Sequence, residues 1–139
     1  MKRQKHKRVL FVCVGNCCRS QMAEGFAIHH GSDVLAAASA GLAPAGVVVD
    51  PTVRSMSEKN IDISSQYSKA FRLDEANDSD LVVNMSGYDL PAGIRVPVVE
   101  WDVQDPIGEP DEVYAKVRDQ IENLVDKLIM DLRGKPVKA

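Results

Sequence analysis

The chain has 139 residues, 45% of them hydrophobic and 27% charged, which indicates one globular domain and excludes a disordered or fibrous protein. No apolar segment approaches the roughly 18 residues of a membrane span, so we expect no membrane partner. The formal net charge of −3 combines a basic N-terminus, residues 1–8, with an acidic remainder. Nucleic-acid binding requires a basic face, so we expect no nucleic-acid partner.

We predict a flexible segment over residues 1–8, a single domain over 9–134 and a short tail over 135–139. The apolar run Val9–Gly15 is not followed by a signal-peptide cleavage site, and the three cysteines are clustered instead of spread as in a secreted disulfide framework. Both features predict a cytoplasmic protein, which we expect to be a monomer.

Strand and helix signals alternate along the first half of the chain, as in βαβ units around a parallel sheet. Val9–Val12 is apolar throughout, which is typical of a strand covered on both faces. A helix is predicted over Ser20–His30, with Gly31 as its stop. A second strand follows over Val34–Ala40.

The same alternation continues in the second half. Asp50 and Pro51 are predicted to be the N-cap and first residue of a helix that reaches about Lys59. Leu81–Val83 and Val96–Val99 are the third and fourth predicted strands.

The last helix has the clearest pattern. Asp111 and Glu112 enrich its first turn, and Gly134 with Pro136 ends it. Its apolar residues recur at spacings of three and four and are interpreted as core: Val113, Val117, Ile121, Leu124, Val125, Leu128 and Leu132.

The loop between the first strand and the first helix predicts an oxyanion site. Helix N-termini present free N–H groups and a dipole that favour an anion. Gly15 and Asn16 tolerate positive φ, so the loop can curl around one point. The planar fork of Arg19 suits two oxygens of a tetrahedral anion. The predicted phosphate-binding residues are Val14, Gly15, Asn16, Cys17, Cys18, Arg19 and Ser20.

Cys13 ends the strand before this loop and is the predicted nucleophile, because its sulfur would face the bound anion. Ser20 could donate a hydrogen bond to that sulfur. The pattern C-x5-R is neither a Walker A loop nor a dinucleotide-binding turn. The alternative interpretation is a buried inert cysteine beside a structural arginine.

A thiolate that displaces a phosphate ester needs an acid for the leaving oxygen. Asp105 is the first candidate, because Pro106 keeps it extended in the loop after the fourth strand, at the same sheet edge as the Cys13 loop. Asp102 is the alternative, and either could instead be a turn or capping residue. His6, His29 and His30 lie at no metal-ligand spacing from the cysteines, so we expect no metal.

These motifs resemble the low-molecular-weight protein tyrosine phosphatase superfamily, which includes the thioredoxin-type arsenate reductases. Val9–Ser20 is similar to the family's phosphate loop, Ser39–Gly41 to its S-A-G turn and Asp105-Pro106 to its general-acid D-P. The resemblance covers nearly the whole chain. It implies a three-layer α/β fold with a central four-stranded parallel sheet and helices on both faces.

The resemblance also implies roles for single residues. Cys13 is the nucleophile, Arg19 binds the oxyanion and Asp105 is the acid. Cys18 matches a second loop cysteine that bonds reversibly to the nucleophile, and Cys17 is the less supported redox partner. The implied loop-bracing residues are Asn16, Ser20 and Ser39.

The chain departs from both branches of the superfamily. Ile107 and Gly108 follow the D-P pair where tyrosine phosphatases often carry aromatic residues, and residues 42–49 also lack aromatics. Arg19–Phe26 and Val117–Ile121 are more similar to the arsenate reductases. Thioredoxin-coupled members of that branch need two more cysteines near the third strand, and residues 84–91 contain none, which excludes a triple-cysteine relay of that kind.

The first expected function is therefore a cysteine-dependent phosphate-monoester hydrolase, with phosphotyrosine among its candidate substrates, acting through a phosphocysteine. The second is an arsenate reductase that uses an external low-molecular-weight thiol or the loop cysteines, Cys17 or Cys18. The third, of another class, is a non-catalytic oxyanion binder or redox sensor. No cofactor is expected beyond that thiol reductant.

Overall fold

The structure, a computed structural model, describes residues 6–134. Its elements in chain order are β1 (Lys7–Cys13), α1 (Arg19–Gly31), β2 (Leu35–Gly41), α2 (Asp50–Ser57), α3 (Leu73–Asn77), β3 (Leu81–Asn84), β4 (Val98–Glu100) and α4 (Asp111–Leu132). The four strands form one all-parallel sheet in the order β2-β1-β3-β4. The predicted α/β class and parallel sheet are confirmed.

β1 lies inside the sheet because its apolar run is covered on both faces. Val9, Phe11 and Cys13 face the larger core layer, which α1, α2 and α4 build, whereas Leu10 and Val12 face the opposite layer. That second layer is thin and contains α3 and the apolar side chains of neighbouring loops. The alternation along β1 thus directs the Cys13 side chain to the α1 side of the sheet.

The order of the strands fixes where a ligand can bind. The chain passes from β1 outward to β2 and later returns to β3 on the other side of β1. The loops after β1 and β3 therefore diverge at the carboxyl edge, the position at which open α/β sheets bind ligands. The loop after β1 is the predicted oxyanion loop.

Two predicted helix boundaries are wrong. Gly31 is the last residue of α1 and not, as predicted, the residue that follows the helix and ends it. A Cβ at Gly31 would lie 2.6 Å from the Ile129 side chain of α4. Its missing side chain allows α1 and α4 to pack closely. Asp50 is not the N-cap of α2, because the helix starts at Asp50 itself and Val49 precedes it without a side-chain cap.

The predicted last helix is confirmed as α4, with Gly134 beyond its end at φ +66°. Pro136 and the predicted tail lie outside the described residues. The short helix α3 has only five residues, too few to show a period, and is absent from the prediction. Within residues 6–134, no helix is both long and apolar enough to cross a membrane.

The predicted N-terminal segment 1–8 is too long. Lys7 and Arg8 belong to β1, where Arg8 donates its backbone N–H to Asp80 and its guanidinium lies 2.7 Å from Asp78. These long-range contacts give an ordered start to the strand. Residues 1–5 lie outside the described residues.

Candidate active site

The loop after β1 turns its carbonyl groups away from its centre. Val14 accepts a hydrogen bond from the N–H of Ala43 at 2.8 Å, and Gly15 accepts one from Ala45 at 2.9 Å. Thr52 donates its hydroxyl to the Cys17 carbonyl at 2.9 Å. In the described part of the chain, no protein acceptor takes a hydrogen bond from the N–H groups of residues 14–18. Those N–H groups remain available to an anion.

Asn16 holds this curl in place from inside the protein. It has a φ of +48° and is fully buried. Its amide nitrogen donates to Ser20 at 2.7 Å, and its amide oxygen accepts from the Lys69 N–H at 2.7 Å and from Gln21 at 2.9 Å. Gly15, which we also expected at positive φ, does not adopt it. Among the loop residues 14–18, Asn16 is therefore the one that adopts the left-handed conformation.

The S-A-G turn at the end of β2 supports the loop from the side. A Cβ on Gly41 would lie 2.7 Å from the Val14 carbonyl oxygen, so only glycine permits this close approach. The Ser39 hydroxyl donates to the Glu24 carboxylate and lies 3.4 Å from the Lys69 ammonium. Ser39 thus reaches the loop only through Lys69, and not directly as its predicted bracing role implied.

Cys13 lies at the base of the loop with 2% of its surface exposed. Its sulfur is 2.9 Å from the Ser20 hydroxyl oxygen. Because Ser20 accepts from Asn16, its own proton is free to be donated to the sulfur. This hydrogen bond holds the Cys13 sulfur in place at the base of the loop.

Arg19 is the buried cation of the site. One terminal nitrogen, Nη1, donates to the carbonyls of Met85 at 2.6 Å and Val103 at 3.0 Å, and the other, Nη2, lies 3.5 Å from the Asp105 carboxylate. Its Nε has no hydrogen-bond partner among the described residues although it is buried. A buried unpaired donor on a cation is costly, so this atom is suited to a bound oxyanion.

The structure brings Asp105, and not Asp102, to the nucleophile. Asp105 lies in the loop after β4, beside Arg19, with 41% of its side chain exposed. Its carboxylate also accepts the Ile107 N–H at 3.1 Å, which fixes its orientation. Asp102 lines a separate cavity next to Trp101. Asp105 therefore remains the candidate acid.

These groups enclose what we call the anion cavity, with a volume of about 220 Å³. Ligand pockets for drug-sized molecules are usually about 300–1,000 Å³. Ala45 and Ile107 form its apolar rim, and no aromatic side chain of residues 6–134 lines it. All three cysteine sulfurs belong to residues of its lining: Cys13, Cys17 and Cys18. The cavity is suited to a small anion in contact with several thiols.

Cys17 and Cys18 form a pair of free thiols, with their sulfurs 3.6 Å apart. The hydrogen bond from Cys17 lowers the pKa of Cys18 to about 7, against the opposing effect of burial. The same hydrogen bond, together with burial, raises the pKa of Cys17. Cys18 is therefore the thiolate of the pair and Cys17 is the donor.

Three supporting residues were not found from the sequence. Gln21 is fully buried and donates a hydrogen bond to the Asn16 carbonyl. In the sequence, the feature that could have indicated this role is a polar residue on the apolar face of α1. Tyr114, whose hydroxyl lies 3.8 Å from the Cys18 sulfur, shares the core-facing side of α4. Lys69 lies in a loop, and no sequence pattern marks it.

A second cluster of polar side chains lies at the other end of α1. His30, Glu122 and Asp126 offer ligand atoms within 4.8 Å of one another. The Lys59 ammonium, however, lies 3.0 Å from Glu122 and already supplies a positive charge there. We assign no metal to this group.

Comparison with known proteins adds a family to this geometry. Residues 8–92 match the profile of a family described as low molecular weight phosphotyrosine protein phosphatase. The "Glutaredoxin arsenate reductase" of Synechocystis sp. is 40% identical over 128 residues, which are 88% of this chain and 96% of that protein.

Solved structures share the fold as well. "An arsenate reductase in the phosphate binding state" superimposes with a TM-score of 0.82 at 38% identity, covering 91% of this chain and 98% of the other. A low molecular weight protein tyrosine phosphatase from T. tengcongensis gives a TM-score of 0.74 at 34% identity, covering 90% and 99%. The chain is thus similar to proteins of both activities.

Proposed function

Because the chain belongs to the low molecular weight phosphotyrosine protein phosphatase family, we propose that its anion cavity reduces arsenate to arsenite. The observation that carries this proposal is the presence of three free thiols around one small oxyanion cavity. Reduction of arsenate consumes two thiols, whereas hydrolysis of a phosphate ester needs only one. The relatives named as arsenate reductases also support arsenate reduction as the first function. The sequence alone had placed phosphate-monoester hydrolysis first.

The walls of the cavity also favour a small inorganic substrate. Ala45 and Ile107 provide apolar contact but no aromatic face on which a phenyl ring could stack. Arsenate has the shape and charge of phosphate, so the loop N–H groups and Arg19 Nε suit it equally. The cavity thus offers contacts to the oxyanion and few to an organic group attached to it.

The first step forms a bond between Cys13 and arsenic. The Cys13 thiolate displaces one hydroxyl group of arsenate, and that hydroxyl takes a proton from Asp105 and leaves as water. Arg19 and the loop N–H groups hold the three remaining oxygens of the adduct. Arsenic stays pentavalent in this step.

The second step is the reduction. Cys18 attacks the Cys13 sulfur, a disulfide forms and the sulfur–arsenic bond breaks. The electron pair of that bond remains on arsenic, which leaves as trivalent arsenite. Two thiols are oxidised and one arsenic atom gains two electrons, so the step balances within the loop.

An external thiol must then reduce the Cys13–Cys18 disulfide. The sequence has no cysteine besides Cys13, Cys17 and Cys18, so electrons cannot be passed to the surface by a further internal pair. We propose a low-molecular-weight thiol or a small dithiol protein as the reductant. The relative named as a glutaredoxin arsenate reductase supports that class.

Phosphate-monoester hydrolysis is the second candidate. Asp105 and Arg19 lie 3.5 Å apart beside Cys13, the arrangement that a phosphocysteine mechanism needs, and the similar tyrosine phosphatase supports it. In that reaction, water instead of Cys18 would attack the adduct. The two functions therefore differ in the need for a second thiol.

The decisive experiment follows arsenite release and aryl-phosphate hydrolysis in parallel with the reduced protein. We expect about one arsenite per protein without added reductant, because the loop holds one pair of reacting thiols. Sustained turnover should need an added thiol. Cys18→Ser should release no arsenite, whereas Tyr88→Phe, at an exposed position, should behave as the wild type. Rapid aryl-phosphate hydrolysis without arsenite release would favour the phosphatase instead.

A further inference from the structure

The sulfur of Cys18 is surrounded by hydrogen-bond donors that the first step of the reaction does not use. Resting on the proposed function, we infer that Tyr114 is a positioning residue that, with the Cys17 thiol, prepares Cys18 as the second nucleophile. Tyr114 comes from α4, 96 residues further along the chain.

The Tyr114 hydroxyl has one clear partner. Its oxygen lies 3.8 Å from the Cys18 sulfur, and within residues 6–134 no other hydrogen-bond partner contacts it. The residue is 2% exposed, so water does not compete for the hydroxyl. A buried hydroxyl without a partner is costly, which favours a proton directed at the sulfur.

Cys17 supplies the second donor. Its sulfur lies 3.6 Å from that of Cys18. Thr52 is also close, but its single hydroxyl proton is donated to the Cys17 carbonyl at 2.9 Å. Tyr114 and Cys17 are therefore the two side chains beside Cys18 whose protons no other acceptor in the described part of the chain takes.

The groups around Cys18 include some that lower its pKa and some that raise it. The hydrogen bond from Cys17 is the largest effect that lowers the pKa of Cys18, to about 7, and the hydroxyls of Thr52 and Tyr114 act in the same direction. Burial and the Asp105 carboxylate raise it, and the Cys13 sulfur and the Arg19 cation face the same cavity. Near neutral pH the donors outweigh the burial.

This arrangement matters for the reduction step. Only a thiolate attacks sulfur, and the rate of disulfide formation follows the thiolate fraction. A charged Cys18 can attack the Cys13 sulfur of the arsenic adduct, forming the disulfide while the sulfur–arsenic electron pair leaves with arsenite. Tyr114 contributes through Cys18 and does not contact the arsenic.

The test compares Tyr114→Phe with the matched control Tyr88→Phe, which removes a hydroxyl at a position 67% exposed. The pH dependence of Cys18 alkylation by iodoacetamide is measured in the intact reduced protein. All three cysteines lie in the tryptic peptide Val9–Arg19, so fragment ions must assign each site. We expect the pH at which Cys18 alkylation is half-maximal, its midpoint, to rise by about one pH unit in Tyr114→Phe. The midpoint should stay unchanged in the control.

A second measurement separates the two chemical steps. In a single turnover with arsenate at pH 7, Tyr114→Phe should form the Cys13–Cys18 disulfide about two- to fivefold more slowly. A pKa that rises from about 7 to about 8 lowers the thiolate fraction at pH 7 about fivefold, and the greater nucleophilicity of the remaining thiolate offsets part of that loss. Its affinity for inorganic phosphate should not change. Cys17→Ala should also raise the Cys18 midpoint, and Cys17→Ser, which keeps a hydroxyl donor, should raise it less.

An unchanged midpoint of Cys18 alkylation in Tyr114→Phe would overturn the role of Tyr114, and an unchanged midpoint in Cys17→Ala would overturn that of Cys17. If Tyr114→Phe does not fold, as judged by circular dichroism, Tyr114→Leu replaces it in the same measurement, while Cys17→Ala and Cys17→Ser test the Cys17 donor. If the midpoints shift as expected but the wild type releases no arsenite, the proposed function fails and the effect of Tyr114 on Cys18 still stands.

Discussion

At the scale of single residues, Arg19 combines a structural and a binding role. Its Nη1 fixes the carbonyls of Met85 and Val103, which follow β3 and β4. Its Nε stays free of any partner among the described residues. The planar guanidinium makes both roles possible at once, because its donors point in fixed and different directions.

We expect Arg19→Lys to weaken inorganic phosphate binding by about 10- to 100-fold, the loss of one hydrogen bond to a charged group. The lysine keeps the positive charge but offers no fork. Isothermal titration of the reduced protein measures the affinity. Arg54→Lys is the control, since Arg54 is exposed and pairs with Asp111 outside the cavity. Equal affinities in both variants would refute the binding role of Arg19.

The acid assignment is tested with two aspartates. If Asp105 protonates the leaving oxygen, Asp105→Asn should slow the hydrolysis of alkyl phosphates by about 10²- to 10⁴-fold, and that of nitrophenyl phosphate far less. A good leaving group needs no proton. Steady-state rates with both substrates give the answer. Asp102→Asn, in a separate cavity, should leave both rates unchanged, and the reverse result would transfer the role to Asp102.

At the scale of elements, two glycines set how closely neighbouring segments approach. Gly31 lets α1 pack against Ile129 of α4, and Gly41 at the end of β2 lets the oxyanion loop pass within reach of the sheet edge. The first contact is part of the core, whereas the second shapes the site. Both positions lie at element ends, where a stop signal and a packing requirement cannot be told apart in sequence.

Gly41→Ala tests whether the missing side chain at the end of β2 positions the oxyanion loop. The new Cβ would lie 2.7 Å from the Val14 carbonyl oxygen and 2.9 Å from Asn16, so the loop must move. We expect a loss of about 1–3 kcal/mol in the free energy of unfolding. We also expect weaker phosphate binding. Urea denaturation and phosphate titration measure the two effects.

The matched control is Ala36→Gly, which removes a methyl group from an exposed position of the same strand. It should leave phosphate affinity unchanged and cost at most about 1 kcal/mol of stability. Wild-type phosphate binding by Gly41→Ala would show that the loop tolerates displacement and that the S-A-G turn does not position it.

At the scale of the whole molecule, the site connects distant parts of the chain. The S-A-G turn, the segments after β3 and β4 and the start of α4 all contact the oxyanion loop or Arg19. An anion bound there would join them through the loop N–H groups and Arg19. Ligand binding should therefore stabilise the entire fold, since only the folded chain forms the site.

We expect inorganic phosphate at 100 times its dissociation constant to raise the free energy of unfolding by about 2.7 kcal/mol. Thermal unfolding of the reduced protein over a phosphate series measures this, with sodium chloride at matched ionic strength as the control. At the same phosphate concentration, the free energy of unfolding of Arg19→Lys should rise by less. An equal effect of chloride and phosphate would show general screening and no specific site.

The sequence by itself determined the parts of the site that are contiguous in the chain. Cys13, Asn16, Arg19 and Ser20 fall within one strand–loop–helix junction, so their spacing and the physics of a helix N-terminus suffice to predict an oxyanion loop. The parallel sheet followed from the alternation of apolar runs and amphipathic periods. Strand ends and caps were less certain, because they depend on tertiary contacts.

Only the tertiary structure decided which distant side chains join that loop. It selected Asp105 over Asp102, brought Lys69 to Asn16 and directed the Tyr114 hydroxyl at Cys18. Contacts over such separations leave no periodic signal, and each partner alone is explained equally well as a turn, surface or core residue. Packing of α4 and the loops against the sheet edge determines these contacts, because it fixes which side chains face the cavity.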